Sequence, residues 1–165
     1  MKETPTLFSL NLQDEAATLW VAQQFSKACG HTKALIFLEG PLGAGKTTFT
    51  RGFLSQLGYL GKVKSPTYTL VESYFVSNIQ VYHFDFYRLN DPEELAFIGI
   101  TEYLNEAAIC LIEWPENGKG FLPEPDVIIH IEYSQDARKL SCEAKNDVGQ
   151  KILSSFMRLN SQKRA

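Results

Sequence analysis

Eight consecutive residues, Gly40-Pro41-Leu42-Gly43-Ala44-Gly45-Lys46-Thr47, satisfy the spacing G-x-x-x-x-G-K-[ST] at every fixed position and follow an apolar run at 34–38. This spacing constrains the fold because it needs a strand in front of it and a helix behind it. The glycines let the backbone adopt positive φ and approach an anion, so that successive N–H groups line a concave nest closed by the dipole of the next helix. Leu42, Gly43, Ala44, Gly45, Lys46, Thr47 and Thr48 are therefore the candidate nucleotide-binding residues. Lys46 brings a charge to the β- and γ-phosphates, and the Thr47 hydroxyl suits a Mg²⁺ ion that keeps several of its waters. Thr48 adds a second hydroxyl beside the phosphates. The required helix is legible in Phe49, Phe53, Leu54 and Leu57, with Gly58 as its stop. Gly52 lies inside that helix, a position that close packing against the sheet would explain.

At 165 residues, 44% hydrophobic and 21% charged, the chain suits one domain, 1–165, with one buried core. The sixteen Lys and Arg are scattered and the net charge is −3, so the basic face of an autonomous nucleic-acid binder is absent from the sequence. No apolar run reaches the length of a membrane span and the polar start 1–5 has no signal-peptide core, so no membrane is expected and the location is read as cytoplasmic. Cys29, Cys110 and Cys142 lack metal or disulfide spacing and read as reduced, buried small hydrophobes.

Residues 6–10 read as an edge strand, followed by a helix over 12–29 capped by Asn11 and ended by Gly30, with Leu19, Trp20, Val21 and Phe25 facing the sheet. Segment 58–68 is loop, and its hydroxyls make Thr67 a candidate sensor of the γ-phosphate and Mg²⁺; Ser65 and Thr67 serve equally well as turn residues. Runs 70–76 and 79–86, separated by Ser77-Asn78, form a hairpin signal, so the sheet must be mixed. Alternation then puts Ile79, Val81, His83 and Asp85 on one face. Asp91, Pro92 and Glu94 match a capping box for a short helix. Run 107–112 reads as a strand buried on both faces and ends in Glu113-Trp114-Pro115, a Walker B-like acid beyond the carboxyl end of a core strand. A loop over 116–125, strands over 127–133 and 139–144, and a helix capped by Asp147 running to about 157 complete the pattern, with a polar, basic tail at 161–165 expected to fray.

The fold class that follows is α/β, a P-loop NTPase-like three-layer sandwich whose mixed sheet has a parallel core and an antiparallel hairpin. Glu113 is favoured for Mg²⁺, and Asp85 for orienting water or the Thr67 loop. The guanine-reading N-K-x-D pattern is absent, which favours adenine. The five arginines, 51, 88, 138, 158 and 164, form no lid cluster of the kind small-molecule kinases carry, which ranks hydrolysis above transfer to a small acceptor. A kinase and a nucleotide-dependent binding module with incidental hydrolysis remain the alternatives.

The segments 40–48, 64–69, 83–89, 91–95 and 111–114, taken together, resemble the TsaE family, formerly YjeE, over nearly the whole chain. Tyr68 stands where many members have Phe. The resemblance implies a small bacterial ATPase that uses ATP and Mg²⁺. It would join the TsaB and TsaD proteins in forming N6-threonylcarbamoyladenosine at position 37 of tRNAs that read codons beginning with A, meeting tRNA only through that complex. By motif it implies that Lys46, Thr47 and Thr48 serve the phosphates and metal, Thr67 the switch loop, Asp85 the hydrolytic site and Glu113 the metal. Arg88, at a strand end, is the candidate partner contact, with an internal ion pair to Asp91 or Glu94 as the competing role.

Overall fold

A computed structural model describes residues 7–162. Among the described residues seven strands form one sheet in the order β1 (Leu7–Leu12), β7 (Ala137–Ala144), β6 (Val127–Ser134), β2 (Ala34–Glu39), β5 (Ala108–Glu113), β4 (Ile79–Asp85), β3 (Val71–Val76). β2, β5, β4 and β6 make the parallel centre, β2 pairing with β5 and β6, and β5 with β4. The sheet becomes antiparallel at both sides, through β3 on β4, and through β7 between β6 and β1. The architecture is therefore the mixed α/β sheet expected from the motif and the hairpin.

Every residue of β5 is buried, as its unbroken apolar run requires of a strand covered on both faces. One face packs against α1 (Glu15–Cys29), α2 (Lys46–Gln56) and α5 (Asp147–Ser161), whose Phe25, Phe49, Phe53 and Phe156 meet above Ile36, Leu38, Val81 and Leu111. The opposite face carries Tyr82, Phe84, Cys110 and Ile112 under the short helices α3 (Glu94–Phe97) and α4 (Ile100–Asn105). The β3–β4 turn has left-handed φ at both Ser77 (53°) and Asn78 (63°), the type I′ geometry whose twist matches a two-residue hairpin.

Several local expectations are corrected. β1 runs on through Asn11 to Leu12, held by pairing of Leu12 with Arg138, so α1 starts three residues later and Asp14, not Asn11, caps it by accepting from the N–H of Ala17 at 2.8 Å. Its buried stripe is Val21, Ala22, Phe25 and Cys29, with Leu19 and Trp20 at the half-buried edge. Gly52 lies against α1 rather than the sheet: a Cβ there would stand 2.7 Å from the Leu19 carbonyl oxygen and 2.9 Å from the Ala22 Cβ. Asp91 does not cap a helix through a capping box; its carboxylate accepts from the Glu93 N–H at 3.0 Å within a turn, and α3 begins at Glu94 without a side-chain cap. Ala107 is exposed and precedes β5. The loop after Trp114 begins with a 3₁₀ turn, Pro115–Gly118. β6 and β7 extend to a two-residue turn at Gln135-Asp136, and Asn146 rather than Asp147 caps α5, which runs four residues past Met157 to Ser161. Of the expected tail, 163–165 lies outside the described residues, as do Thr6 of the expected edge strand and the polar start. All three cysteines are free and buried, and burial pushes each thiol up, Cys110 to about 12. No described helix is long and apolar enough to cross a membrane.

Candidate functional site

The carboxyl ends of β2, β5 and β4 lie side by side, which brings three distant stretches of sequence to one place. β2 delivers the glycine loop, β5 ends on Glu113 and β4 ends on Asp85, with Asp85 and Glu113 paired in register and so on one face of the sheet. A cavity of about 220 Å³ opens there, lined by Leu42, Gly43, Gly45, Lys46, Thr47 and Thr48 from the loop and helix, and by Ser65, Thr67, Asp85, Tyr87, Glu113 and Trp114 from the other two stretches. Of the sequence-derived candidates only Ala44 is not on this wall; it is buried behind the loop and borders a second cavity on the other flank.

Gly45 caps α2 with φ of 114°, a conformation that side chains rarely adopt and that turns the loop onto the helix N-terminus. Lys46 is 4% exposed. Its ammonium donates to the Gly40 carbonyl at 2.5 Å and sits 3.6 Å from the centroid of the Trp114 ring. Burial holds its pKa below the ordinary lysine value, against the opposing pull of Glu113 and Asp85. Trp114 gets over the ammonium because its own φ is +56°, an uncommon conformation for an aromatic residue, which swings the chain sharply after β5; Tyr87 packs against the indole, 5.2 Å between ring centroids.

The Thr47 hydroxyl donates to Glu113 Oε2 at 3.0 Å. A hydroxyl has one proton and two lone pairs, so this bond leaves the Thr47 oxygen free to coordinate a cation. Among the described residues no three His, Cys, Asp or Glu side chains gather to form a cage. One hydroxyl and one carboxylate beside a phosphate-sized nest nevertheless suit Mg²⁺, which retains waters and shares its sphere with phosphate oxygens. The residues fit that ion. Glu113 Oε2 accepts a second bond, from His83 Nε2 at 2.6 Å, so His83 turns to Glu113 rather than to Asp85.

Asp85 is 4% exposed and takes its donors from the 58–68 loop and its own turn. Thr67 Oγ1 lies 3.0 Å and Ser65 Oγ 3.2 Å from Oδ2, the two hydroxyls are 2.6 Å apart, and the N–H of Tyr87 donates to Oδ1 at 2.9 Å. Two hydroxyl protons serve three contacts, so the shorter distances define a relay from Ser65 to Thr67 to Asp85. The backbone reinforces it, since the Asp85 N–H donates to the Leu70 carbonyl at 3.1 Å. Arg88 pairs with neither Asp91 nor Glu94; it is exposed, stacks on the Tyr68 ring at 4.3 Å and donates to its hydroxyl at 2.9 Å.

Sequence reasoning missed four participants. His83 touches Glu113, Tyr87 backs Trp114, Ser65 completes the hydroxyl relay, and Tyr133 donates to the Leu42 carbonyl at 2.9 Å, bracing the loop from β6. Ser65 carried a signal through its place two residues before Thr67, His83 through its place on the Asp85 face of its strand, and Tyr87 only as part of the 83–89 segment; Tyr133 carried none.

Comparison with known proteins gives the family. Residues 12–140 match the family described as Threonylcarbamoyl adenosine biosynthesis protein TsaE. The tRNA threonylcarbamoyladenosine biosynthesis protein TsaE of Haemophilus influenzae is 48% identical over 149 residues, spanning 88% of this chain and 94% of that protein. The protein of the same name from Bacillus subtilis is 40% identical over 102 residues, 62% of this chain and 63% of its own length. The crystal structure of Bacillus subtilis YdiB superposes with a TM-score of 0.82 at 26% identity, covering 96% of this chain and 99% of that one. The glycine loop, the acid that ends β5 and the acid that ends β4 thus sit in a chain that belongs to the TsaE family.

Proposed function

We propose that this chain is a Mg²⁺-dependent ATPase that serves the formation of N6-threonylcarbamoyladenosine in tRNA, acting in the cytoplasm with TsaB and TsaD. The observation that carries the ATPase reading is the 3.0 Å bond between Thr47 of the P-loop and Glu113, across a cavity that also contains Lys46 and the Thr67–Asp85 relay. The pathway comes from the family and from the names of the relatives.

In this reading the backbone of 42–48 and the Lys46 ammonium hold the β- and γ-phosphates, which requires Lys46 to leave the Gly40 carbonyl and the Trp114 ring. Thr47, through its hydroxyl oxygen, and Glu113, which accepts from that hydroxyl, would hold Mg²⁺. When bound, Mg²⁺ offsets the negative charge that grows on the phosphate oxygens as the terminal bond breaks. Asp85 already accepts from the Thr67 hydroxyl and the Tyr87 N–H, so it acts by anchoring Thr67 and, through it, Ser65, both of which line the cavity where the γ-phosphate and attacking water belong. The nucleoside has room on the other flank of the loop, in a cavity of about 310 Å³ that shares Gly43, Gly45 and Thr48 and reaches Asp14 and Arg138.

The test is ATP turnover by the purified protein with TsaB and TsaD, followed as phosphate release and as transfer to candidate small acceptors, beside the threonylcarbamoyladenosine content of tRNA from cells carrying Lys46→Ala. Phosphate should go to water, and the variant should lose on the order of 10²–10³ in turnover together with the modified nucleoside. Transfer to an acceptor would make the chain a kinase. Modification that survives loss of turnover would make it a nucleotide-dependent binding module.

A further inference from the structure

His83 is fully buried, and its ring makes one hydrogen bond, from Nε2 to Glu113 Oε2 at 2.6 Å. A carboxylate only accepts, so the ring donates to Glu113 from Nε2. The other ring nitrogen, Nδ1, is buried without any partner. An unsatisfied buried polar atom works against stability, and on its own face of β4 His83 lies between the apolar Val81, with Ile79 beyond it, and Asp85, which bonds to the Ser65 and Thr67 pair rather than to His83. An apolar side chain would fill the position without an orphaned atom. What His83 adds is the bond to Glu113, and that bond completes a chain of contacts from His83 through Glu113 to the Thr47 hydroxyl.

We infer that His83 is a positioning residue for the metal site: its Nε2–H holds Glu113 Oε2 in the orientation that receives the Thr47 hydroxyl and so keeps the Thr47 oxygen aimed at Mg²⁺. The inference rests on the proposed Mg²⁺ role of Thr47 and Glu113. Two donors on one oxygen, from β4 and from the first turn of α2, fix both the rotation and the reach of a side chain that packing alone would leave with alternatives. The register explains why His83 does this and Asp85 does not. Asp85 lies directly beside Glu113, whereas His83 pairs with Leu111, two residues back on the same face, and reaches forward to the carboxylate from behind.

The experiment measures ATP affinity by calorimetry with and without Mg²⁺, for wild type, His83→Phe, His83→Gln and Glu113→Gln, with melting temperature as the check on folding. Phenylalanine keeps the ring and drops the donor, while glutamine places an N–H the same number of bonds from the backbone as Nε2. His83→Phe should bind metal-free ATP as wild type does and lose about tenfold of the tightening that Mg²⁺ produces, within the range seen when a residue supporting a metal ligand is removed. His83→Gln should stay within about twofold of wild type. Equal tightening in wild type and His83→Phe, or equal losses in His83→Phe and His83→Gln, would overturn the inference. If His83→Phe does not fold, His83→Asn replaces it, since its N–H falls one bond short. Asn and Gln variants that behave alike would again overturn the positioning role. Glu113→Gln separates the two levels. If it leaves the Mg²⁺ effect intact the metal reading fails and takes this inference with it, whereas a loss there beside a normal His83→Phe removes His83 alone.

Discussion

Lys46 and Trp114 form the pair most open to direct observation. A buried ammonium resting on an indole 3.6 Å away is a holding arrangement in the proposed function, where the same ammonium meets phosphate. ATP should draw Lys46 off the ring, and indole emission responds to such a change in local charge. The chain has two Trp, so in a Trp20→Phe background the signal belongs to Trp114. Adding ATP should change that emission, and Lys46→Met should abolish the change; an unresponsive Trp114 would mean that the ammonium stays where it is. The same substitution tests the cost of burying the charge. Because burial lowers the folded pKa of Lys46, the unfolded chain binds the proton more tightly, and folding strengthens as pH rises from the folded value toward 10.5. Removing the charge removes that penalty near neutral pH, so Lys46→Met should melt no lower than wild type while losing turnover. A marked fall in melting temperature would show that the bond to Gly40 and the indole contact outweigh desolvation.

At the scale of elements, the junction of α1 and α2 sets the position of the P-loop helix. Gly52 is the reason the two helices approach so closely, and Arg51 to Glu15 and Gln23 to Ser55 bond across the same seam. Alanine is the better helix former by about 1 kcal/mol. Here its methyl would collide with the rigid backbone at Leu19, an overpacking cost of about 1–3 kcal/mol. Gly52→Ala should therefore lower stability in denaturant titrations and shift α2, weakening nucleotide binding as well; a stabilised variant would mean that the helices part without cost. Gly52 was legible in the sequence as a close contact but not as a contact with α1, because periodicity says which residues face inward and not which element they face. The same limit separates what else could be read from what could not. The glycine loop, the Ser77-Asn78 turn and the acid ending a doubly buried strand are local patterns with local causes. The cap of α1 moved from Asn11 to Asp14 because pairing with β7 extended β1, a tertiary effect that overrides a perfectly good capping residue. The contact between His83 and Glu113 depends on β4 and β5 being neighbours in parallel register, and the seat of Trp114 on a left-handed turn that its residue type argues against.

On the scale of the whole molecule, the cavity between the glycine loop and the ends of β4 and β5 is open at its rim. Leu42 and Tyr87 on its wall are 64% and 43% exposed, and Tyr68, next in sequence to the cavity residue Thr67, is 80% exposed, an apolar surface that a partner would cover. Ser65 and Thr67 belong to a loop without regular secondary structure whose ties to the sheet include the Asp85 relay and the Leu70 bond. Such a loop holds catalytic geometry better when a second surface presses on it. Turnover alone should therefore be slow and should rise when TsaB and TsaD are added. Arg88 is placed to meet that surface, because it stacks on the exposed Tyr68 ring, one residue after Thr67, and its guanidinium has no carboxylate partner among the described residues. Arginine and tyrosine are the residue types that most often dominate an interface, and a guanidinium already oriented by a ring gives up little freedom on pairing. Arg88→Ala should leave the basal rate near wild type and lower the stimulated rate about tenfold at a fixed partner concentration, with the deficit narrowing as partner is raised. Stimulation unchanged by the substitution would move the contact elsewhere. A rate indifferent to TsaB and TsaD in the wild type would instead remove the partners from the catalytic cycle.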